Sequence, residues 1–460
     1  MLAALSVLPS AASGVEPVPS WEALLGALAQ APRENGSPEL LAAAAWLADT
    51  LRSAGWEVSQ HWYTAYPFEQ RLLGVLLLFG GCTYAVCMWR RHFGWALATA
   101  FFLPWVAIAQ IDFRVPFSWV AAVEQPNVVA RLPNPPARLN LIFSAHLDTK
   151  TDLLDHIARA PILVFAAPAA LLMCVVAAGS LVAFRAGNFA TGRQALARVL
   201  GWVGALYGLA LGAVFSGGIF VRHRSPGALD DGAACAVLVR LAYELRAQPP
   251  RGSEVYLVFF SGEELAAQGA DALLRSWRPA GESRTTRVIN LDPLGASSEF
   301  RVLSGERGIL RSVVPSPEVI ALIGAAHQEL RGHPVEVQEL IGLTDTWMWR
   351  QHGFAAATLF SSVPPFALPR GLHSYRDNVS RVDIPALDFS LALLHNVVRV
   401  ADRQVAGTDA PSPKGIGRNA MDGESGLESL ARRRLAHAGV SQKQWESKGE
   451  PCKPIGRTRI

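Results

Sequence analysis

Charge is in short supply in this 460-residue chain: only 17% of residues are charged, against 50% that are hydrophobic, and the mean hydropathy is positive. That balance is unusual for a soluble enzyme and directs attention to long apolar runs. Cysteine is sparse as well. The five residues Cys82, Cys87, Cys174, Cys235 and Cys452 are scattered, three of them inside apolar runs, so neither a disulfide framework nor a cysteine zinc site is indicated. A strong basic excess is lacking too. The net charge is +4, with much of it around Arg432, Arg433, Arg434, Lys443 and Lys448, which leaves no nucleic-acid footprint. The opening MLAALSVLPSAASG lacks a basic segment and has a very short apolar core, so a cleaved signal peptide is not expected. No internal repeat is present.

Residues 21 to 57 read as helical, with Leu24, Leu25, Leu28, Leu40, Leu41, Ala44, Leu47 and Leu51 at three- and four-residue spacing before a stop at Gly55. Two apolar runs follow, Leu72 to Met88 and Gly94 to Ile111, each near the roughly 17-residue lower limit for crossing a bilayer. Two longer runs, Pro161 to Phe184 and Val199 to Val221, form a second pair joined by a loop carrying Arg185, Arg193 and Arg198. Buried core helices are the competing reading, more so for the shorter first pair. An even number of crossings in each insertion returns the chain to its starting side, so the flanking segments can fold together. Those segments alternate between strand and helix: strands at 127–131, 140–144, 255–260, 287–291, 300–303 and 356–360, helices at 232–246, after Glu263, at 317–330 and at 384–401. The fold class is therefore α/β, with a mostly parallel central sheet flanked by helices and interrupted by two transmembrane hairpins. Beyond about residue 405 the sequence lacks strong periodicity and reads as a mostly disordered tail with one short helix near Leu427 to Ala438.

The residues that carry chemistry stand where strands end. The segment NLIFS runs into Ala145-His146-Leu147-Asp148, so His146 and Asp148 project to one face, as a carboxylate that orients a metal-binding imidazole would. Asp230 and Asp231 stand in a turn before a helix, where one Asp is ordinarily a cap but two in succession repel unless a cation is near. Another carboxylate pair, Glu263 and Glu264, follows the strand at 255–260; Asp292 follows the strand at 287–291, and a late loop offers His373 and Asp377. Two imidazoles among several carboxylates form the nitrogen and oxygen donor set that suits zinc or a similar divalent ion.

Taken in order, His146-x-Asp148, Asp230-Asp231-Gly232, Glu263-Glu264, Asn290-x-Asp292 and His373-x-x-x-Asp377 resemble the M28 family of zinc peptidases, which includes bacterial aminopeptidases and the related glutaminyl cyclases. The resemblance covers residues 20–66, 124–152 and 222–402, a catalytic domain that leaves the hairpins at 72–111 and 161–221 and the tail at 405–460 outside it. It implies two zinc ions per chain, with Asp230 bridging, His146 and Asp292 on one ion, and Glu264 and His373 on the other. It makes Glu263 the general base, Asp148 the orienter of His146, and Asp231 and Asp377 supporting carboxylates, Asp377 behind His373. Leu343-Thr344-Asp345-Thr346-Trp347 is similar to a turn beside the family's substrate pocket, with Thr346 where the family has His. Asp345 or Trp347 is thus a candidate substrate contact, with packing as the alternative. The loop of Pro364, Pro365, Phe366 and Pro369 is a further candidate pocket wall.

The expected activity is removal of N-terminal residues from peptides by a membrane-bound metallopeptidase. A glutaminyl cyclase-like aminoacyltransferase is the nearest alternative; Asp231, where those enzymes carry Ser, favours the peptidase. An inactive membrane scaffold is less expected because no ligand position has decayed, and a transporter is remote because the apolar runs carry no buried charges. The expected partners are a peptide substrate and a lipid bilayer, without nucleic acid. The resemblance places the catalytic domain outside the cytoplasm, although some 70 residues precede the first apolar run without a signal.

Overall fold

The computed structural model describes residues 18–407 apart from Arg114, 116–120, 189–190, Phe220, 282–283, Ile341 and 365–366. The expected tail helix at Leu427 to Ala438, along with Pro365 and Phe366, lies outside the described residues. The chain opens with α1 (Trp21–Ala29) and α2 (Pro38–Ser53), followed by β1 (Glu57–Ala65), α3 (Glu69–Trp89), α4 (Phe93–Ile111), β2 (Val123–Leu132) and β3 (Leu139–His146). Next come α5 (His156–Val164), α6 (Ala166–Arg185), α7 (Thr191–Ser216), α8 (Ala233–Ala247), β4 (Ser253–Phe260), α9 (Gln268–Ser276) and β5 (Thr285–Leu291). The chain finishes with β6 (Phe300–Arg307), β7 (Ser312–Val313), α10 (Pro317–Arg331), β8 (Glu336–Leu340), α11 (Asp345–Gln351), β9 (Ala355–Ser361) and α12 (Ile384–Gly407).

The helix expected over 21–57 is two helices. Each has its own start signal: the side chain of Ser20 accepts from Ala23 N, and that of Ser37 accepts from Leu40 N just before Pro38. The turn between them carries Arg33 and Asn35, two residues that reach the candidate site described below.

Among the described residues, nine strands join one sheet in the order β1-β2-β4-β3-β5-β9-β6-β7, with β8 paired to β6. The sheet is parallel in its centre, where β4, β3, β5 and β9 run together, and antiparallel where β1, β2, β6 and β7 extend it. It is therefore a mixed sheet with a parallel middle. Period-2 alternation divides its two faces. Phe143, Leu257 and Ile289 point to the side covered by α1, α2, α8, α10 and α12, while Ile142, Val258 and Val288 meet Leu273, Trp347, Met348 and Trp349 from α9 and α11. Trp347 is fully buried in this second layer, so it packs.

Five described helices are long and apolar enough to cross a membrane, but they are not alike. The span Ile384–Ala406 in α12 is 61% buried and packs on the sheet, whereas the other four spans are only 17–33% buried. Those four pack together as α3 and α4 beside α6 and α7, around a core of Tyr84, Met88, Phe93, Met173 and Val176. Their outward face is also apolar, with Phe79, Trp95, Phe101, Phe102, Leu171 and Val182 exposed. A water-soluble bundle turns polar residues outward; this one does not.

Small residues let α3 and α7 approach closely, as in helices that associate inside bilayers. A Cβ on Gly74 would stand 2.1 Å from Ser216 N of α7, while one on Gly179 of α6 would meet nothing within 4 Å. Gly74→Ala is expected to destabilise the bundle by about 1–3 kcal/mol through overpacking, while Gly179→Ala is neutral or slightly stabilising. Thermal unfolding of the two variants in detergent checks the contrast.

A polar seam joins bundle to sheet. The first turn of α3 sends Arg71 to Glu34 (3.0 Å), Gln70 accepts from Lys150 (2.6 Å), and Glu69 accepts from Gln268 (2.9 Å). At the end of α4, Asp112 accepts from the backbone N–H groups of Ile309, Leu310 and Arg311.

Candidate metal centre

The three central strands β4, β3 and β5 deliver their carboxyl ends side by side, which is where parallel sheets place their ligands. His146 is the last residue of β3, Ser261 to Glu264 follow β4, and Asp292 follows β5. Asp230 and Asp231 enter from the turn ahead of α8, and His373 from the loop between β9 and α12. The peptide bonds Asp230–Asp231 and Asp292–Pro293 are cis.

Asp230 lies at the middle of the group. Its Oδ1 stands 3.0 Å from His146 Nε2, and its Oδ2 stands 3.2 Å from His373 Nε2. On the His146 side, Asp292 Oδ1 lies 3.9 Å from His146 Nε2. On the His373 side, Glu264 Oε1 lies 2.6 Å from His373 Nε2. Glu263, half-buried, faces the same space from the turn after β4.

The supporting shell differs in detail from the sequence expectation. His146 Nδ1 meets the backbone oxygen of Asp148 at 3.0 Å, with the nearer carboxylate oxygen at 3.7 Å. The Asp148 carboxylate instead accepts from Glu263 N and Glu264 N, each at 3.1 Å, and from Asn35 Nδ2 at 2.6 Å, so it shapes the turn that presents the two glutamates. Behind His373 stands Asp152, whose Oδ2 is 2.8 Å from Nδ1. Asp377 was paired with His373 in the sequence reading, but its carboxylate accepts from Leu229 N at 2.7 Å and so braces the Asp230 turn. Asp231 Oδ2 accepts from His146 N at 3.2 Å.

Sequence reasoning missed Arg33, Asn35 and Asp152. Buried Arg33 donates to Leu147 O, Pro226 O and Gly227 O, tying the loop after β3 to the loop before Asp230. Asn35 accepts from Gln125, which also donates to Tyr63 OH, and Tyr63 in turn donates to Ser261 O. The Tyr63 hydroxyl fits because residue 262 is Gly at φ +91, where a Cβ would approach it to 2.3 Å. The available signal was local: Pro32, Gly36 and Pro38 break the helical pattern, and polar residues inside such a break are candidates for contacts made elsewhere.

So many carboxylates behind so little water cannot all be charged without cations. Burial pushes Asp230 upward, yet the hydrogen bonds from His146 and His373 hold its carboxyl well below the usual range. Burial, reinforced by the neighbouring carboxylates, pushes Asp231 and Glu263 well above theirs. Burial opposes protonation of both imidazoles, but the surrounding carboxylates raise His146 and His373 well above the ordinary value. Asp231 Oδ1 and Asp377 Oδ2 are buried without hydrogen-bond partners. Two imidazoles, a centrally placed carboxylate with both oxygens engaged, and two further carboxylates fit divalent metal chemistry. Among the described residues, two groups could hold an ion: His146, Asp230 and Asp292, and His156, Asp230 and His373.

The sequence comparison agrees with this geometry. Residues 214–398 match peptidase family M28. The matched stretch, less than half of the chain, is similar to M28 peptidases. The matched stretch contains Asp230, Glu263, Glu264, Asp292 and His373 but begins after His146 and Asp148, which the helical insertion at 161–221 separates from it in sequence and β3 returns to it in space. No curated protein matches. Among solved structures, the LapA aminopeptidase of Legionella pneumophila is 11% identical at a TM-score of 0.47, covering 83% of this chain and 70% of that one. The Bacteroides thetaiotaomicron glutaminyl cyclase bound to N-acetylhistamine is 13% identical at 0.48, covering 82% and 94%. A Zn-dependent exopeptidase from Parabacteroides distasonis is 14% identical at 0.48, also covering 82% and 94%.

Burial first, then the charges of Asp230, Glu264 and Glu306, push the Asp292 carboxyl up to about 8. In the metal-free protein the folded state therefore keeps a proton that the unfolded chain releases near pH 4. Folded protein binds the extra proton between those limits, so metal-free stability is expected to fall as pH rises through this window. A metal ion has to displace that proton, so apparent zinc affinity is expected to climb by up to about tenfold per pH unit between about pH 6 and pH 8. Chelator competition across that range reads the slope, and a flat profile would remove Asp292 from the donor set.

Proposed function

We propose that this chain is a membrane-anchored aminopeptidase that uses two zinc ions per chain, with Glu263 as its general base. The observation that carries this reading is the position of Asp230, one carboxylate oxygen facing His146 and the other facing His373. In it, His146 and Asp292 hold one ion, Glu264 and His373 the other, and Asp230 serves both. Bound zinc would acidify a water and polarise the scissile carbonyl. The chain's own residues do the rest. Glu263 accepts a proton from the attacking water as the new C–O bond forms, then passes it to the nitrogen of the leaving amine as the C–N bond breaks. Asp148 keeps Glu263 and Glu264 on one turn, so the two carboxylates can face different tasks. Asp152 holds the His373 ring by its Nδ1, leaving Nε2 toward the centre.

A narrow cleft of about 20 Å³ lies beside Glu264, with Asn35, Gln70, Arg71 and Lys150 in its walls at the foot of the bundle. The apolar outer faces of α3, α4, α6 and α7 support a bilayer around that bundle. Arginines flank both ends of the bundle, Arg90, Arg91 and Arg185 at the loops and Arg71, Arg159, Arg222 and Arg224 at the sheet domain, so it is the M28 resemblance that favours a sheet domain outside the cytoplasm.

The test is elemental analysis of the detergent-purified protein together with hydrolysis of aminoacyl-nitroanilides and cyclisation of a Gln-terminal peptide. About two zinc per chain with nitroanilide cleavage supports the reading. One zinc with cyclisation replaces it by a glutaminyl cyclase, and absence of metal overturns both.

A further inference from the structure

The second apolar insertion does not begin cleanly at the membrane. Its first helix, α5, starts with His156, and His156 lies at the metal centre. The rings of His156 and His373 meet edge to face with centroids 4.2 Å apart. His156, Asp230 and His373 each offer a ligand atom within 4.8 Å of the others. His156 Nδ1 is buried and has no hydrogen-bond partner. The start of α5 is also fastened to the loop that carries His373. Asp155 caps the helix through Ala158 N at 2.7 Å and, with its other oxygen, accepts from Gly371 N at 3.2 Å. Three residues further on, Arg159 pairs with Asp152, the same carboxylate that holds His373.

A buried imidazole nitrogen without a partner costs free energy unless something takes it up. Next to a carboxylate and a second imidazole, a divalent cation is the species that would. We propose that His156 is a protein ligand of the ion held by Asp230, Glu264 and His373, so that the membrane insertion itself supplies a donor to the metal centre. The inference rests on the metal-site reading above. It gives that ion four protein donors, the usual number for zinc, while the ion on the His146 and Asp292 side has three. The two sites then differ in kind: the fuller one is sealed by the membrane segment, and the other keeps its open position. It also couples the hairpin to the active site, since any displacement of α5 moves a ligand.

Zinc alone serves as the probe. X-ray absorption of the zinc-loaded wild-type chain counts imidazoles directly: three shared between two ions are expected, and two would overturn the inference. In chelator competition, His156→Ala is expected to weaken one of the two sites by at least about tenfold to hundredfold, the loss that follows from removing even an orienting neighbour, and to leave the other unchanged. His156→Asn, compared with wild type by thermal unfolding of the metal-free protein, separates ligand loss from misfolding. Wild-type affinity at both sites in a folded His156 variant overturns the assignment while the two-zinc reading stands. A wild-type chain that binds no zinc overturns both.

Discussion

Asp230→Asn is expected to strip the protein of most of its metal and to lower peptide hydrolysis by about three orders of magnitude or more, because several kcal/mol of charge stabilisation is lost at once. The argument is geometric before it is electrostatic. Both oxygens of Asp230 are engaged, Oδ1 at 3.0 Å from His146 Nε2 and Oδ2 at 3.2 Å from His373 Nε2, and an amide replaces one of those acceptors by a donor. It also removes a hydrogen-bond acceptor that, behind Asp148 at His146 and behind Glu264 and Asp152 at His373, helps to raise both imidazoles above their ordinary value. No single-sided ligand has this reach. Asp292→Asn and Glu264→Gln should each weaken one ion and spare much of the other, so zinc content is expected to fall to about one per chain in each. The measurement is zinc per chain after dialysis, with thermal unfolding as the check on folding. A folded Asp230→Asn protein that retains two zinc ions would take Asp230 out of the bridging position.

Some of this arrangement was legible from residue order and some was not, and the division has a physical cause. His146, Glu263, Glu264 and Asp292 follow runs such as NLIFS and VYLVFF, whose β-rich character marks a buried strand, and carboxyl ends of parallel strands lie together whatever the helices between them do. The two hairpins were legible because length and lack of charge are local properties. The strands flanking the parallel centre were harder. Alternation in β1 or β6 reads the same whether its neighbour runs parallel or antiparallel, so a mostly parallel sheet was expected where the flanks return antiparallel.

The braces around the site were the least legible. Asp152 and Asp377 are both acids near a histidine in sequence or in expected space, and only the tertiary path of the loop shows that Asp152 reaches His373 and that Asp377 turns to Leu229. Asn35 lies 113 positions from Asp148, and Arg33 lies 114 from Leu147, inside a stretch whose leucine spacing read as unbroken helix. His156 stands just ahead of the apolar run that begins at Pro161, where no motif or spacing marks it. Such residues are selected by what they touch across the fold, and periodicity carries no record of that.

Glu263→Gln is expected to leave two zinc ions in place while lowering kcat by roughly a hundredfold to ten-thousandfold, the range over which a positioned general base contributes. The substitution preserves shape and the backbone N–H that Glu263 gives to Asp148 at 3.1 Å, so the turn and its neighbour Glu264 should stay where they are. What is lost is the capacity to hold a proton between the attacking water and the departing amine. KM should therefore change little, since the substrate's ground-state contacts remain and only the transition state loses a partner. The same exchange at Glu264 should behave oppositely, with metal lost first and turnover falling as a consequence. That contrast between adjacent glutamates is the sharpest separation of roles the site offers. If Glu263→Gln lost zinc, Glu263 would be a ligand and the proton would have to travel elsewhere. If it kept both zinc and turnover, the base would have to be another carboxylate near the centre, and the shape of the turn that Asp148 holds would need a different explanation.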